Sequence, residues 1–339
     1  MKTKLKTGTA GRRLVMCALG LLSLFFGSAV GQQPEKRLAD AGQSPAEDSA
    51  SALLFAYFKG NGEDGLHFAH SPDGFTWRPV NNGQPLIKPT VGRDKLMRDP
   101  HITVGPDGTY HMVWTTSWKE PVIGYVTSRD LIRWSEQRAI TPMFHEPGAR
   151  NAWAPETFYD SATKQFLLFW SSTIPGRFPE TDGSGGNGLN HRIYYTTTKD
   201  FRQFTPTRLL YDKGFNVIDA TIIKEHDRYV MFLKDETRLP AAQKNIRYAV
   251  SVRAEGPYGE ASPPITGNYW AEGPSAVRFG SRWIVYFDKY TEHRYGAVVS
   301  SDLKRWEDVS SQIKFPEGTR HGTVLRISPT QLSKILGLK

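Results

Sequence analysis

The sequence predicts an all-β protein, a five-bladed β-propeller whose ring is closed by pairing the C-terminal strand with the N-terminal strands. Three observations carry that prediction. A Ser/Thr-x-Asp-x-x-x-aromatic turn recurs along the chain, strand-like runs precede each copy, and the two ends hold complementary fractions of one repeat. A period of roughly 50–70 residues with about four short strands is a propeller signature.

The turn runs from Ser71 through Asp73 to Trp77, from Ser128 through Asp130 to Trp134, from Thr198 through Asp200 to Phe204, and from Ser300 through Asp302 to Trp306. A degenerate copy, from Val252 to Tyr258, fills the remaining gap. An Asp in such a turn accepts bonds from backbone amides ahead of it, and the aromatic packs back over the blade. The strands just before the turns are 123–127, 193–197, 246–250 and 295–299. Ahead of them lie stronger pairs, such as 101–104 with 109–115 across Pro106-Asp107-Gly108, and 221–224 with 229–233. Helical periodicity is confined to the last ten residues.

The ends complete the plan. Residues 321–327 form a lone strand, and residues 52–77 form a repeat that lacks its innermost strand. Together they make a fifth blade and leave no open sheet edge. The predicted blades are 99–134, 154–204, 219–258, 272–306, and 321–327 with 52–77.

Composition agrees. The 31 glycines and 22 prolines suit short strands and tight turns, and 12% aromatic content supplies a sizeable core for one large domain, residues 51–339. Residues 1–31 read as a secretory signal peptide: Lys2, Lys4, Lys6, Arg12 and Arg13 precede an apolar run from Leu14 to Phe26, and Ala29-Val30-Gly31 offers a cleavage site. A secreted or periplasmic protein is therefore expected, with no membrane span once the leader is removed. Cys17, the single cysteine, lies in the leader, so the mature chain has no disulfide. Residues 32–50 read as a disordered tether. The leader carries five of the basic residues and no acidic one, so only +4 of the net charge of +9 belongs to the remainder. With no basic block, nucleic acid is not an expected partner, and a monomer is expected.

The predicted inner strands begin with Asp99, Glu156, Asp219, Glu272 and His321. In a propeller these starts converge near the axis, and crowding four carboxylates there is costly unless they are used. Each acid singly has an equally good reading as a turn cap; five in register do not. Loops after the second strands should line the mouth: Lys59-Gly60-Asn61, Thr116-Ser117-Trp118, Lys234-Asp235-Glu236 and Asp288-Lys289-Tyr290, with Trp118, Asp235 and Asp288 the chosen site residues. Trp118, Trp153 and Trp270 are candidates to stack on a flat ligand face, against an equal reading as rim or core packing. Arg98 and Arg320 are placed to keep Asp99 ionised. His101, His111 and His145 read as structural. The longest loop, 173–191, contains Gly183-Ser184-Gly185-Gly186 and is expected to form a flexible lip that closes one end of the groove. Nucleophile-elbow, phosphate-loop and Cys/His metal motifs are absent from the sequence.

Asp99-Pro100, Trp153-Ala154-Pro155, Asp219 before its strand, Glu272-Gly273-Pro274 and Arg320-His321-Gly322 occur in this order over nearly the whole mature chain. In this the sequence resembles glycoside hydrolase family 43, the five-bladed propeller arabinofuranosidases and xylosidases. The resemblance implies an inverting hydrolase acting on a carbohydrate, with Asp99 as general base, Asp219 as pKa modulator and Glu272 as general acid. It implies no required cofactor, and places His321 in the central channel holding water or a calcium ion. The Glu156 position is often Asp in that family, which leaves its role open. Inversion needs acid and base about 6.5–9.5 Å apart, a separation that opposite channel walls provide. Family membership ranks α-L-arabinofuranosyl first, with β-xylosidase and galactofuranosidase as alternatives. A retaining invertase-like enzyme fits less well, because that family's Glu-Cys pair is missing. A non-catalytic carbohydrate-binding propeller would be favoured only if one of the three acids were absent.

Overall fold

The computed structural model describes residues 52–338; the predicted leader and tether lie outside the described residues. The strands in chain order are β1 (Ala52–Phe58), β2 (His67–Ser71), β3 (Arg78–Pro79), β4 (Arg98–Val104), β5 (Tyr110–Thr115), β6 (Ile123–Ser128) and β7 (Arg138–Ile140). They continue with β8 (Trp153–Asp160), β9 (Gln165–Thr173), β10 (His191–Thr198), β11 (Arg208–Tyr211), β12 (Val217–Glu225), β13 (Arg228–Asp235) and β14 (Asn245–Ser251). The last are β15 (Glu272–Phe279), β16 (Arg282–Lys289), β17 (Arg294–Ser300), β18 (Glu307–Asp308) and β19 (Arg320–Ile327), before a short helix, Pro329–Leu336.

These strands form five antiparallel sheets, the blades of a propeller, with β4, β8, β12, β15 and β19 innermost. β19 pairs with β1, so blade five joins the chain ends as the sequence predicts. Five apolar clusters fill the seams between blades. Phe68 and Trp114 meet between blades five and one, Trp170 and Phe201 lie with Tyr125 between one and two, and Tyr286 and Phe55 lie between four and five. Every blade therefore buries both faces against neighbours, and closing the ring removes the exposed sheet edges near the axis.

The recurring turn forms as expected. Asp73, Asp130, Asp200 and Asp302 each accept, through Oδ1, the amides two and three residues ahead at 2.7–3.0 Å. Blade three departs from the four-strand plan. It has three strands, and residues 259–265 follow β14 irregularly, with Ser262 and Ile265 donating their amides to Tyr248 and Ile246. Pro263 and Pro264 have no amide hydrogen to sustain a ladder there.

Each inner strand carries one extra residue at its start. Arg98 and His101 pair with Thr115 and Val113, Trp153 and Glu156 with Ser171 and Phe169, and Ile218 and Thr221 with Lys234 and Phe232. Glu272 and Ser275 pair with Asp288 and Tyr286, and Arg320 and Thr323 with Phe58 and Ala56. The result is the same bulge five times, a device that re-aims side chains at a barrel rim. Its first residue is Asp99, Ala154, Asp219, Gly273 or His321, and the first four have φ of 52°, 43°, 54° and 59°. The predicted set of five is thus corrected. Only Asp99, Asp219 and His321 share a register; Glu272 stands one residue before the bulge position and Glu156 two residues after it.

Candidate active site

The bulges aim at a cavity of about 290 Å³ at one end of the channel, lined by Asp99, Asp219, Glu272 and His321 among others. Three larger clefts, about 540, 620 and 390 Å³, gather none of these residues. Asp99 Oδ2 accepts the Thr115 hydroxyl at 2.8 Å, and Asp99 Oδ1 lies 3.4 Å from His321 Nδ1. Burial alone would push this carboxyl up. The His321 bond and charge, Arg98 and Thr115 outweigh burial and hold it at about 2. Burial would lower His321, but its bond to Asp99 and the charges of Asp219, Asp99 and Glu272 push it up to about 9. The pair is therefore an imidazolium and a carboxylate at neutral pH.

Asp219 is anchored from two blades. Its amide donates to Ser171 Oγ at 3.2 Å, and its Oδ2 accepts the Gly273 amide at 3.0 Å. Burial raises its pKa, with Glu272 and Asp99 adding to the rise and His321 and Lys234 opposing it. The Gly273 bond fixes the backbone next to Glu272. Only glycine fits there: at φ +59° a Cβ would lie 2.3 Å from the His321 ring. Gly322 likewise presses on β1, where a Cβ would fall 1.9 Å from the Ala56 carbonyl oxygen. These contacts explain the glycines of Glu-Gly-Pro and Arg-His-Gly.

Glu272 accepts two charged donors. Lys234 Nζ reaches Oε2 at 3.1 Å and Arg320 Nη2 reaches Oε1 at 3.1 Å. Arg320 is held from behind by Asp288, whose Oδ2 accepts Nε at 2.6 Å. Asp288 is buried beneath Arg320 rather than lining the cavity. Glu156, expected among the substrate-binding residues, does not line the cavity; it is buried, with Oε2 3.3 Å from His101 Nε2. Burial pushes Glu156 up to about 8, against a Thr221 hydroxyl bond and the His321 charge, so it keeps its proton at neutral pH. Burial also holds His101 neutral, at about 3.

The aromatic wall is Trp118 and Trp153, packed edge to face at 5.4 Å. Arg98 is sandwiched between Trp118 and Phe58, 4.2 and 4.6 Å from their ring centres. Trp270 lies outside the cavity, facing Tyr290 and Lys244 at 6.0 and 5.7 Å, and Tyr290 lines the wall in its place. Asp235 is also outside. Neighbouring strand residues face opposite ways, so with Lys234 turned to the cavity Asp235 meets Arg247 at 3.3 Å instead. Lys234, Glu236 and Tyr290, from the loops expected to line the mouth, do line the cavity, and Asn187 of the 173–191 loop joins them.

Residues 48–333 match the family model described as "Probable glycosyl hydrolase domain", the glycosyl hydrolases related to family 43. The chain belongs to this family. An α-L-arabinofuranosidase of Bifidobacterium longum subsp. longum is 27% identical over 245 residues, 61% of this chain and 22% of that protein. The chain thus spans about a fifth of that relative's length. The family-43-related domain also resembles a thermostable family-43 glycoside hydrolase (TM-score 0.51, 16% identity, 69% of this chain and 80% of that one). The catalytic domain of a Coprinopsis cinerea GH62 α-L-arabinofuranosidase gives the same TM-score at 15% identity, covering 70% of this chain and 75% of that one. Both likenesses show a shared fold.

His321, for which the resemblance implies water or a calcium ion, directs Nδ1 to Asp99 at 3.4 Å. Calcium takes six to eight oxygens, waters included, so an ion beside this imidazole would be held mainly through water. Among the described residues no group of three or more His, Cys, Asp or Glu is spaced to hold a metal ion. None of the helices among the described residues is long and apolar enough to cross a membrane.

Proposed function

We propose that this domain is an inverting glycosidase that releases terminal α-L-arabinofuranosyl residues from plant-type polysaccharides or oligosaccharides. The observation that carries the reading is the placement of Asp99 and Glu272 on non-neighbouring blades around one small cavity, with His321 between them on the closing blade. The arabinofuranosidase relative supports the choice of sugar. A cavity of about 290 Å³ suits a single sugar ring, which supports removal from chain ends.

Each residue then has a task. Asp99, ionised and steered by His321 and Arg98, holds the attacking water and takes its proton as the anomeric carbon becomes cationic. Glu272, across the cavity, protonates the departing oxygen. Asp219 fixes Gly273 and with it the backbone on which Glu272 stands. Trp118 and Trp153 present ring faces and edges to the sugar. The leader supports export to the periplasm or medium, and residues 51–339 act as one catalytic domain.

The test is hydrolysis of aryl glycosides of arabinofuranose, xylose and galactofuranose, and of arabinan and arabinoxylan, by the protein without its leader. Release from the arabinofuranoside is expected to dominate. Turnover of the xyloside or galactofuranoside alone would overturn the sugar assignment, and binding without turnover of any would overturn the enzyme assignment.

A further inference from the structure

We infer that Lys234 is a positioning residue for the proton donor, and that Glu236 and Lys244 serve to hold it. This rests on the reading of Glu272 as general acid. The Lys234 side chain is 2% exposed, and an ammonium that deep is retained only where its bonds are made. Its charge is met. Nζ donates to Glu272 Oε2 at 3.1 Å, forms an ion pair with Glu236 Oε2 at 2.7 Å, and stands over the Tyr290 ring at 4.7 Å from its centre. Burial would lower this lysine, but Glu272, Glu236 and Asp219 together hold it well above its ordinary range. Glu236 is bonded in turn by Lys244, which packs over Trp270 at 5.7 Å.

The arrangement fixes Glu272 from both sides. Lys234 extends from blade three to one carboxyl oxygen, and Arg320, braced by Asp288, extends from blade five to the other. A glutamate has three side-chain torsions, and freezing them costs conformational entropy. Proton donation requires the carboxyl to face the glycosidic oxygen. Two donors from flanking blades hold that direction before substrate arrives, which is the contribution of orientation to catalysis. The register supplies a second link: Lys234 pairs with Ile218, beside the bulge that aims Asp219. Movement in blade three would therefore disturb both carboxylates.

The experiment compares kcat/KM on two arabinofuranosides, one with an activated nitrophenyl leaving group and one with a sugar leaving group. In Lys234→Met, the sugar-leaving substrate should lose on the order of 10²-fold, the cost of a misplaced catalytic group, while the activated one changes little. Lys234→Arg should recover part of the loss. Glu236→Gln, which leaves Lys234 in place but loosely held, should show the same selective loss in smaller degree and carries the test if Lys234→Met does not fold. Equal losses on both substrates, or no loss in either variant, would overturn the inference. A wild-type protein that cleaves neither substrate would overturn the proposed function instead.

Discussion

Glu156, buried beside His101, carries a prediction of its own. A carboxyl that ordinarily titrates near 4.5 is held at about 8 by complete burial beside neutral His101. Between these values the unfolded chain ionises while the folded chain keeps its proton, so stability is lost as pH rises from about 4.5 to 8. At 1.36 kcal/mol per pH unit the loss is about 3 kcal/mol at pH 7 and under about 1 kcal/mol at pH 5. Glu156→Gln keeps the shape and the hydrogen-bonding capacity and has nothing to titrate. Its melting temperature relative to wild type should therefore rise between pH 5 and pH 7 by about 5 °C, at roughly 2 °C per kcal/mol for a domain of this size. His101 is present in both proteins, so its own titration cancels in the comparison. Differential scanning calorimetry at the two pH values measures the quantity directly. A difference that does not change with pH would show that Glu156 is ionised in the folded protein, and the account of its buried, protonated carboxyl would be wrong.

Further outcomes follow from the same geometry. Asp99→Asn should slow every substrate by about 10²–10⁴-fold, since water activation is common to all, whereas Glu272→Gln should spare activated aryl glycosides; similar profiles for the two variants would contradict their separate roles. His321→Asn removes the bond and charge that hold Asp99 at about 2, so the Asp99 pKa rises and the acid limb of the kcat/KM profile should move to higher pH. An unmoved or downward-shifted limb would detach His321 from Asp99. Deleting residues 320–339 removes β19 and bares the edge of β1, so the product should be insoluble or bind hydrophobic dye strongly; a soluble, cooperatively melting product would mean that the ring does not need closure.

The blades were legible because their signal is local. Asp73, Asp130, Asp200 and Asp302 close their turns with amides two and three residues away, a pattern visible without knowing any distant contact. The acids were legible as a set, but not their heights in the channel. A one-residue bulge is set by pairing with the next strand, and the partner is invisible in a single run of sequence. Glu272 and Glu156 were therefore placed level with Asp99, although they stand one residue before and two after its register. The choice of Asp235 over Lys234 and Glu236 was an avoidable miss, because strand alternation puts 234 and 236 on one face and 235 on the other. Trp270 could not be told from Tyr290 by sequence, because the difference is one of tertiary packing: Trp270 lies against Lys244 outside the cavity, and Tyr290 against Lys234 within it.

The central claim is a single displacement by water held on Asp99, opposite a proton donor on Glu272. Proton NMR recorded while the protein acts on an aryl α-L-arabinofuranoside reports which anomer of the free sugar appears first, before mutarotation. The account predicts β-L-arabinofuranose. First release of the α-anomer would mean retention, with a carboxylate bonded covalently to the sugar, and would contradict the assignment of Asp99 as a base.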